Sequence, residues 1–266
     1  MTSAARFRSA YAAHRAAEGR GEGGLAELAA LPYVRRGPLK REWDVRARSF
    51  ERFVRRVLTP YERAAAPHRL SVLDLGAGNG WLCNRLATRG HACVALEWRR
   101  DPIDGLAAGA AYGREVGSAF ARVAASFQAI PLRQAFDLVV YNAALHYATS
   151  LDEAIHEAVR VTRPSGAVVI VDSPFYPRPS DGQRMVVEKR AHARREWGAR
   201  AEVLLGLPAI EYLTPAALAA SAAPHGLVWR RHRVRYPWWY ELRPVVARLR
   251  GRRPPSRFDV WEARVG

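Results

Sequence analysis

The 266-residue sequence predicts an α/β fold in which a doubly wound, seven-stranded, mostly parallel sheet ends in an antiparallel C-terminal edge. Between residues 70 and 173, short continuous apolar runs alternate with helical segments, the pattern of parallel strands covered by helices on both faces. The first apolar run leads directly into a glycine-rich loop, and two alternating apolar and polar stretches close the chain. These three observations together predict the fold class.

The part of the chain that precedes the sheet has two sections. Residues 1–42 show little apolar periodicity and contain a glycine-rich stretch, so a mobile segment and linker are expected there. Residues 43–67 are predicted to form a helix because apolar side chains recur at i, i+3, i+4 and i+7 along one face. The residues of that face are Phe50, Phe53, Val54 and Val57.

Residues 43–266 are expected to form one domain, in which that helix precedes a core, a lid and a pair of closing strands. In the core, residues 70–173, strands alternate with helices. Residues 174–225 are helical and interrupted by proline, which predicts a lid, and residues 226–266 hold the closing strands around a basic aromatic insertion. The predicted core strands cover residues 72–75, 92–97, 120–126, 136–142 and 167–172, and the core helices cover residues 79–89, 102–113 and 151–162.

The composition indicates a protein with a packed apolar core and no membrane-spanning segment. The apolar content of 49% is ample for a sizeable core, and no apolar run is long enough to span a bilayer. The two cysteines, Cys83 and Cys93, are expected to be reduced, packed thiols of a cytoplasmic protein. All but two of the 42 basic residues are arginine, and the net charge of +17 fits either a solvated surface or an anionic partner. The histidines lack paired ligand spacing, so no metal site is predicted.

The sequence Val-Leu-Asp-Leu-Gly-Ala-Gly-Asn-Gly at residues 72–80 carries the functional argument. Its strand delivers the carboxylate of Asp74 to a loop whose glycines allow a tight turn and a close approach of backbone to ligand. The glycine spacing differs from the G-x-G-x-x-G of dinucleotide-binding loops, which place a diphosphate on a helix N-terminus. A carboxylate just before the loop suits instead a ligand that carries an ammonium and a sulfonium. The loop residues are Gly76, Ala77, Gly78 and Gly80.

This stretch resembles the first motif of the class I S-adenosylmethionine-dependent methyltransferases, and the resemblance extends over residues 70–173. It implies a Rossmann-like fold and S-adenosylmethionine as the cofactor. The resemblance also implies that the loop from Gly76 to Gly80 lines the methionine and ribose portion of the cofactor. Asp74 would order the cofactor's amino group, directly or through water.

Two later landmarks of the family stand at the next strand ends. The second predicted strand ends in Glu97, whose carboxylate can accept hydrogen bonds from both ribose hydroxyls. Trp98 offers a flat apolar face to the adenine, with packing in the core or at the surface as the alternative. After the third strand the sequence departs from the family pattern, because Ser126 stands where an Asp usually contacts the adenine amino group. The Ser126 hydroxyl and the backbone of Phe127 are expected to hold the adenine instead.

The fourth strand and its following loop resemble those of small-molecule methyltransferases. Asn142 and Ala143 are expected beside the methionine end of the cofactor, and His146 and Tyr147 on the acceptor side. A neutral His146 could accept a proton if the acceptor is a hydroxyl or a protonated amine, so it is the predicted general base. The alternative is a loop histidine that only packs or forms hydrogen bonds.

The sequence therefore predicts methyl transfer to oxygen, nitrogen or carbon of an apolar or anionic small-molecule acceptor, which Phe175 and Tyr176 of the lid are expected to contact. Aromatic and arginine residues at 236–253 keep open a peripheral membrane contact and a lipid or quinone acceptor. The net charge keeps an RNA methyltransferase open, although no nucleic-acid motif follows the fourth strand. Ser126 keeps open a non-catalytic S-adenosylmethionine-binding protein. A hydrolase is not predicted, because the sequence lacks a G-x-S-x-G motif.

Overall fold

The computed structural model describes residues 3–20, 24–113, 117 and 119–266. Its strands, in chain order, are β1 (Ser71–Leu75), β2 (Ala92–Leu96), β3 (Ala121–Val123), β4 (Phe136–Asn142), β5 (Thr162–Val171), β6 (Trp229–His232) and β7 (Val260–Arg264). They form one seven-stranded sheet in the order β3-β2-β1-β4-β5-β7-β6. Strands β1 to β5 are parallel, and β7 pairs antiparallel with both β5 and β6. The predicted fold class is confirmed.

Helices surround this sheet. In chain order they are α1 (Ser3–Ala17), α2 (Gly24–Ala30), α3 (Lys40–Phe53), α4 (Thr59–Ala65), α5 (Trp81–Thr88), α6 (Leu151–Val161), α7 (Pro179–Trp197), α8 (Ala199–Leu204), α9 (Pro215–Ala222), α10 (Trp238–Glu241) and α11 (Arg243–Leu249). A π-helical turn at Val54–Leu58 joins α3 to α4, so the helix predicted at residues 43–67 is one helical stretch with a wider turn in its middle. Short 3₁₀ turns lie at Leu145–Tyr147 and Ala223–His225.

The two faces of the sheet bury separate apolar clusters. Successive residues of a strand point to opposite faces, and β4 shows the consequence. Leu138 and Val140 pack in the cluster that contains residues of α3 and α5. Val139 and Tyr141 pack in the cluster that contains residues of α6 and α9. Both faces are therefore covered, as continuous apolar parallel strands require.

The N-terminal segment is more structured than the sequence indicated. The described residues of segment 1–42, expected as a mobile segment and linker, contain α1 and α2. The Arg85 guanidinium on α5 donates hydrogen bonds to the carbonyl oxygens of Ala29, Ala30 and Leu31, at 3.0, 2.7 and 2.5 Å. It therefore satisfies carbonyls at the end of α2 that have no partner within the helix.

Two predicted core elements are shorter than expected. The predicted helix at residues 102–113 is helical only from residue 110, and turns occupy residues 102–109. Asp101 accepts hydrogen bonds from the backbone N–H groups of Ile103, Asp104 and Gly105, and such a side chain competes with helical pairing. The third strand covers three residues rather than the predicted stretch 120–126, so Ser126 lies in the loop beyond it. In the described ranges, no helix is both long and apolar enough to cross a membrane.

Replacing Arg85 with alanine is expected to lower the free energy of unfolding by about 2 kcal/mol, because three backbone carbonyls would lose a charged donor. Urea unfolding measures this loss. The matched control is Arg89→Ala, which removes an exposed ion pair with Glu62 and is expected to lower stability by less than about 1 kcal/mol. Equal losses in the two variants would contradict the anchoring of α2 by Arg85.

Candidate functional site

A cavity of about 810 Å³ opens at the carboxyl ends of the parallel strands. In open α/β sheets ligands bind where neighbouring connections run to opposite faces, which here is between β1 and β4. Most of the residues predicted from the sequence line this cavity. They are Gly76, Ala77, Gly78, Glu97, Trp98, Ser126, Phe127, Asn142, Ala143, His146, Tyr147 and Tyr176. Asp74, Gly80 and Phe175 do not belong to its lining.

The loop after β1 needs its glycines for two physical reasons. Gly76, Gly78 and Gly80 have φ of +72°, +55° and +78°, a region that other residues rarely adopt. A Cβ on Gly76 would lie 2.5 Å from the Cβ of Ala144, so the loop also has no room for a side chain there. Gly80 is the N-cap residue of α5, and a Cβ there would lie 2.8 Å from the ring of Phe120, which makes its role structural. At Gly76 and Gly78 the loop thus presents backbone without a side chain to the cavity.

Glu97 is fixed at the end of β2 by two backbone donors. The N–H of Gly78 donates to Oε2 at 3.0 Å, and the N–H of Arg99 donates to Oε1 at 2.9 Å. Burial raises the pKa of Glu97, whereas the charge of Arg99 and these two donors lower it. The carboxylate therefore joins the glycine loop to the end of the second strand and borders the cavity in one defined orientation.

Asp74 lies beneath the glycine loop rather than in the cavity wall. Its side chain is fully buried, and Oδ1 has no hydrogen-bond partner among the described residues. Burial raises the pKa of Asp74 well above its ordinary value, and the nearby charge of Glu97 adds to the rise. The predicted contact with the amino group of a ligand would therefore need a water molecule or a shift of the loop.

Aromatic side chains form the end of the cavity next to Glu97. Phe7 of α1 stacks on Trp98 with ring centroids 5.8 Å apart and an angle of 20° between the planes. Phe127 packs edge-on against Tyr141 at 5.5 Å, and the Ser126 hydroxyl accepts the N–H of Gln128 at 3.2 Å. This end has the flat apolar surfaces that a nucleobase requires.

Helix α1 contributes a wall that the sequence analysis missed. The Arg15 guanidinium donates to Asp104 at 2.8 Å, and Asp104 also accepts from Asn79 of the glycine loop at 3.1 Å. The His14 ring lies 4.2 Å from that of Trp197, so α1 also contacts the lid. The sequence does contain a signal for this wall, because the residues of α1 that line the cavity recur at helical spacing. The residues of α1 that line the cavity are Phe7, Tyr11, His14 and Arg15.

The opposite end of the cavity carries three side chains with unpartnered buried atoms. Among the described residues, no hydrogen bond reaches Oδ1 of Asn142, Nδ1 of His146 or either carboxyl oxygen of Asp172. Asp172 follows β5 with φ of 54°, in the left-handed region. The sequence analysis did not assign Asp172 to the site, because a lone Asp at a strand end carries no motif.

Three predicted acceptor residues have different surroundings. The Tyr147 hydroxyl lies 3.5 Å from that of Tyr11, at the open side of the cavity. The Tyr176 hydroxyl accepts a hydrogen bond from Arg253 at 3.0 Å and faces the cavity. Phe175 instead stacks on Trp261 at 4.8 Å in the apolar core. The backbone is extended here, so neighbouring side chains point in opposite directions.

Burial changes the pKa values of the two titratable groups at this end in opposite directions. It lowers the pKa of His146 to about 3, and the charges of Lys189 and Arg46 lower it further. It raises the pKa of Asp172 to about 7, against the opposing charge of Arg46. His146 is therefore neutral and weakly basic, whereas Asp172 changes its charge near pH 7. Within the described ranges no cluster of three or more metal-ligating side chains occurs.

Comparisons with known proteins agree with this geometry. Residues 73–170 match the family model described as "Methyltransferase domain". A malonyl-[acyl-carrier protein] O-methyltransferase from Erwinia pyrifoliae is 32% identical over 109 residues, which are 41% of this chain and 39% of that protein. The match spans about two fifths of the length of the curated relatives.

Solved methyltransferase structures share the fold over most of the chain. A magnesium protoporphyrin IX methyltransferase from Synechocystis with bound S-adenosylhomocysteine has a TM-score of 0.55 at 14% identity, covering 94% of this chain and 98% of that chain. A putative sarcosine dimethylglycine methyltransferase from Galdieria sulphuraria has a TM-score of 0.56 at 16% identity, covering 87% and 90%. Residues 73–170 therefore match a methyltransferase domain, and the chain shares its fold with solved methyltransferase structures.

Replacing Asp172 with asparagine is expected to stabilise the fold more at about pH 8 than at about pH 5. Burial holds the folded pKa at about 7, whereas an unfolded Asp ionises near 3.9. Ionisation of Asp172 therefore destabilises the folded state as the pH rises between these values, by up to about 4 kcal/mol above pH 7. Urea unfolding across this pH range measures the gain.

The control for this prediction is Asp181→Asn on α7. Asp181 is also a buried carboxylate, but it accepts a hydrogen bond from Arg178 at 3.1 Å and does not line the cavity. Its replacement is expected to lower stability, because Arg178 would lose its partner. Parallel stability profiles of Asp172→Asn and the unchanged protein between pH 5 and pH 8 would contradict a raised pKa of Asp172 in the folded protein.

Proposed function

We propose that the chain transfers a methyl group from S-adenosylmethionine to a small-molecule acceptor. The observation that carries the proposal is the fixed carboxylate of Glu97 beside the glycine loop, in the cavity at the β1/β4 switch. Two backbone donors orient the carboxylate, and its remaining lone pairs suit the two hydroxyls of a ribose. A phosphate would be repelled at this position.

The other cavity residues fit the remaining parts of the same ligand. The loop from Gly76 to Gly78 has no side chain that would fill the space above it. Trp98 and Phe127 supply flat apolar surface for the adenine. Oδ1 of Asn142 is a buried acceptor that no donor among the described residues reaches, and it suits an ammonium. When bound, S-adenosylmethionine supplies an electrophilic methyl group on a sulfonium.

The chain's own contribution to the reaction is alignment and the exclusion of water. Helix α1 covers the cavity from one side, and the contact of His14 with Trp197 joins it to the lid. The acceptor would lie at the end lined by His146, Tyr147 and Tyr176. Both apolar and basic side chains line this end, which supports an apolar or anionic metabolite.

Calorimetry with S-adenosylmethionine tests the proposal, and Glu97→Gln is expected to weaken binding at least about 10-fold. An amide in place of the carboxylate loses one charged acceptor, and hydrogen bonds to charged groups contribute about 1.5–3 kcal/mol. The control is Glu262→Gln, because Glu262 is equally buried and bonded to His232 on the far edge of the sheet. The control is expected to bind normally. Failure of the unchanged protein to bind at millimolar concentration would refute the proposal.

Transfer of a labelled methyl group to a library of phenols, amines and carboxylic acids separates an enzyme from a protein that only binds the cofactor. A labelled product that disappears in Glu97→Gln supports the enzyme. Binding without transfer to any library member supports the non-catalytic alternative.

A second candidate function, action at a membrane surface, is favoured by an exposed stripe on α10 and α11. Trp238 and Leu249 are 76% and 82% exposed, and Leu242, Val245 and Val246 continue the stripe at helical spacing. Residues 242–256 contain several arginines and no acidic residue. An apolar stripe flanked by cations suits the interface of an anionic membrane. Arg243 and Arg253 also line the cavity, so a lipid or quinone acceptor could enter from this side.

Sedimentation with phosphatidylglycerol vesicles tests this second function. Binding is expected at low salt, with a clear reduction at moderate salt because the attraction to anionic lipid is screened. Trp238→Ala combined with Leu249→Ala is expected to reduce binding, whereas Val187→Ala, which removes an exposed apolar side chain on α7, is not. No binding at low salt would exclude the membrane function and leave the methyl-transfer proposal intact.

A further inference from the structure

Buried hydrogen-bond acceptors border the cavity at the ends of β4 and β5. Oδ1 of Asn142 and both carboxyl oxygens of Asp172 are buried and unpartnered among the described residues. Such groups destabilise a protein unless a ligand or water supplies the missing partner. Both residues line the cavity, so a ligand can reach them. The ligand complementary to this end therefore carries hydrogen-bond donors.

The positions of these residues divide them between two parts of the ligand. Asn142 ends β4, two residues before Ala144, whose Cβ lies against the glycine loop. It therefore belongs with the cofactor. Asp172 follows β5, which is one strand further from β1, and Asn142 is paired with Val171 in the sheet register. Asp172 is thus the buried acceptor on the side of the cavity away from the glycine loop.

The polar groups near Asp172 already have partners of their own. From α3, Arg46 is paired with Glu42 at 3.1 Å, and both charges act on Asp172. The Ser49 hydroxyl, also on α3, lies 3.1 Å from that of Tyr236, and its interaction with Asp172 lowers the pKa of that carboxyl.

On the C-terminal side, the Tyr236 hydroxyl donates to the carbonyl of Phe258 at 2.7 Å, and the Tyr240 hydroxyl donates to that of Ser256 at 3.3 Å. Each tyrosine proton is therefore already committed to a backbone carbonyl. A bound ligand that carries a donor can therefore complete Asp172.

We propose that Asp172 binds the protic group of the acceptor, a hydroxyl or an amine, and accepts its proton during methyl transfer. The inference rests on the proposed function and narrows the acceptor to O–H and N–H nucleophiles. A lone pair of the acceptor forms the new bond to the methyl carbon, and the carbon–sulfur bond breaks with its electron pair left on sulfur. The proton of the acceptor passes to the Asp172 carboxylate. The products are the methylated acceptor and a neutral thioether.

The electrostatics of the site favour Asp172 over His146 as the proton acceptor. A general base works best when its pKa lies close to the working pH. Burial brings the pKa of Asp172 to about 7, whereas it lowers the pKa of His146 to about 3. A neutral His146 remains able to orient the acceptor through a hydrogen bond. His146, the general base predicted from the sequence, is thus less favoured in this role than Asp172.

Binding of matched small probes to the protein saturated with S-adenosylhomocysteine tests this inference without knowledge of the natural acceptor. The probes are 4-methylphenol and 4-methylaniline, compared with the O-methyl ether and the N,N-dimethyl amine respectively, neither of which can donate a hydrogen bond. Ligand-observed NMR at about pH 8 gives the four affinities. We expect at least a 5-fold preference for one donor probe over its methylated counterpart, and the pair that shows it distinguishes a hydroxyl from an amine acceptor.

The variant Asp172→Asn is expected to reduce this preference to below 2-fold, with the affinity for S-adenosylhomocysteine unchanged. Asparagine tolerates the left-handed backbone found at this position, so the variant is expected to fold. Asp181→Asn, outside the cavity, is expected to keep the preference. In the unchanged protein we expect the preference for the donor probe to become smaller at pH values below about 6, where Asp172 is protonated and no longer accepts as a carboxylate.

Two results overturn the inference. One is the absence of a donor preference in the unchanged protein, including the absence of measurable binding by any probe. The other is an unaltered preference in Asp172→Asn. A protein that fails to bind S-adenosylhomocysteine refutes the proposed function itself, so the two failures are distinguishable.

Discussion

The site depends on one constraint, the fixing of the Glu97 carboxylate between the glycine loop and the end of β2. Its two backbone donors, from Gly78 and Arg99, come from different segments, so the carboxylate holds both in one arrangement. The same interaction demands the positive φ of Gly78, because the loop must turn its N–H toward the strand end. Without this contact the loop and the strand end would still meet, but the cavity would lack its oriented acceptor.

The rest of the cavity is assembled from both ends of the chain around that fixed group. Helix α1 reaches the glycine loop through Arg15, Asp104 and Asn79, and it meets the lid through Trp197. The C-terminal segment closes the opposite side near Asp172. Such an enclosure favours a reaction that mainly needs aligned reactants and the exclusion of water, because the elements that exclude water also shape the space for the acceptor.

The sequence predicted the parts of the site that depend on backbone position, and it missed the parts that depend on three-dimensional neighbours. The glycine loop and Glu97 were predictable because strand ends and turn glycines occupy fixed places in the fold. Helix α1 was missed because its arginine and alanine content hides the aromatic spacing of its cavity face. Phe175 was placed with Tyr176, although extended backbone sends adjacent side chains to opposite sides. Asp172 matters because its carboxyl oxygens are buried and no hydrogen bond from the described part of the chain reaches them, which a sequence does not show.

A crystal structure of the protein with S-adenosylhomocysteine tests the central claim most directly. We expect Glu97 to accept hydrogen bonds from both ribose hydroxyls while it keeps those from Gly78 and Arg99, with the adenine beside Trp98. A nucleoside bound elsewhere, or a Glu97 side chain turned away from the ribose, would contradict it.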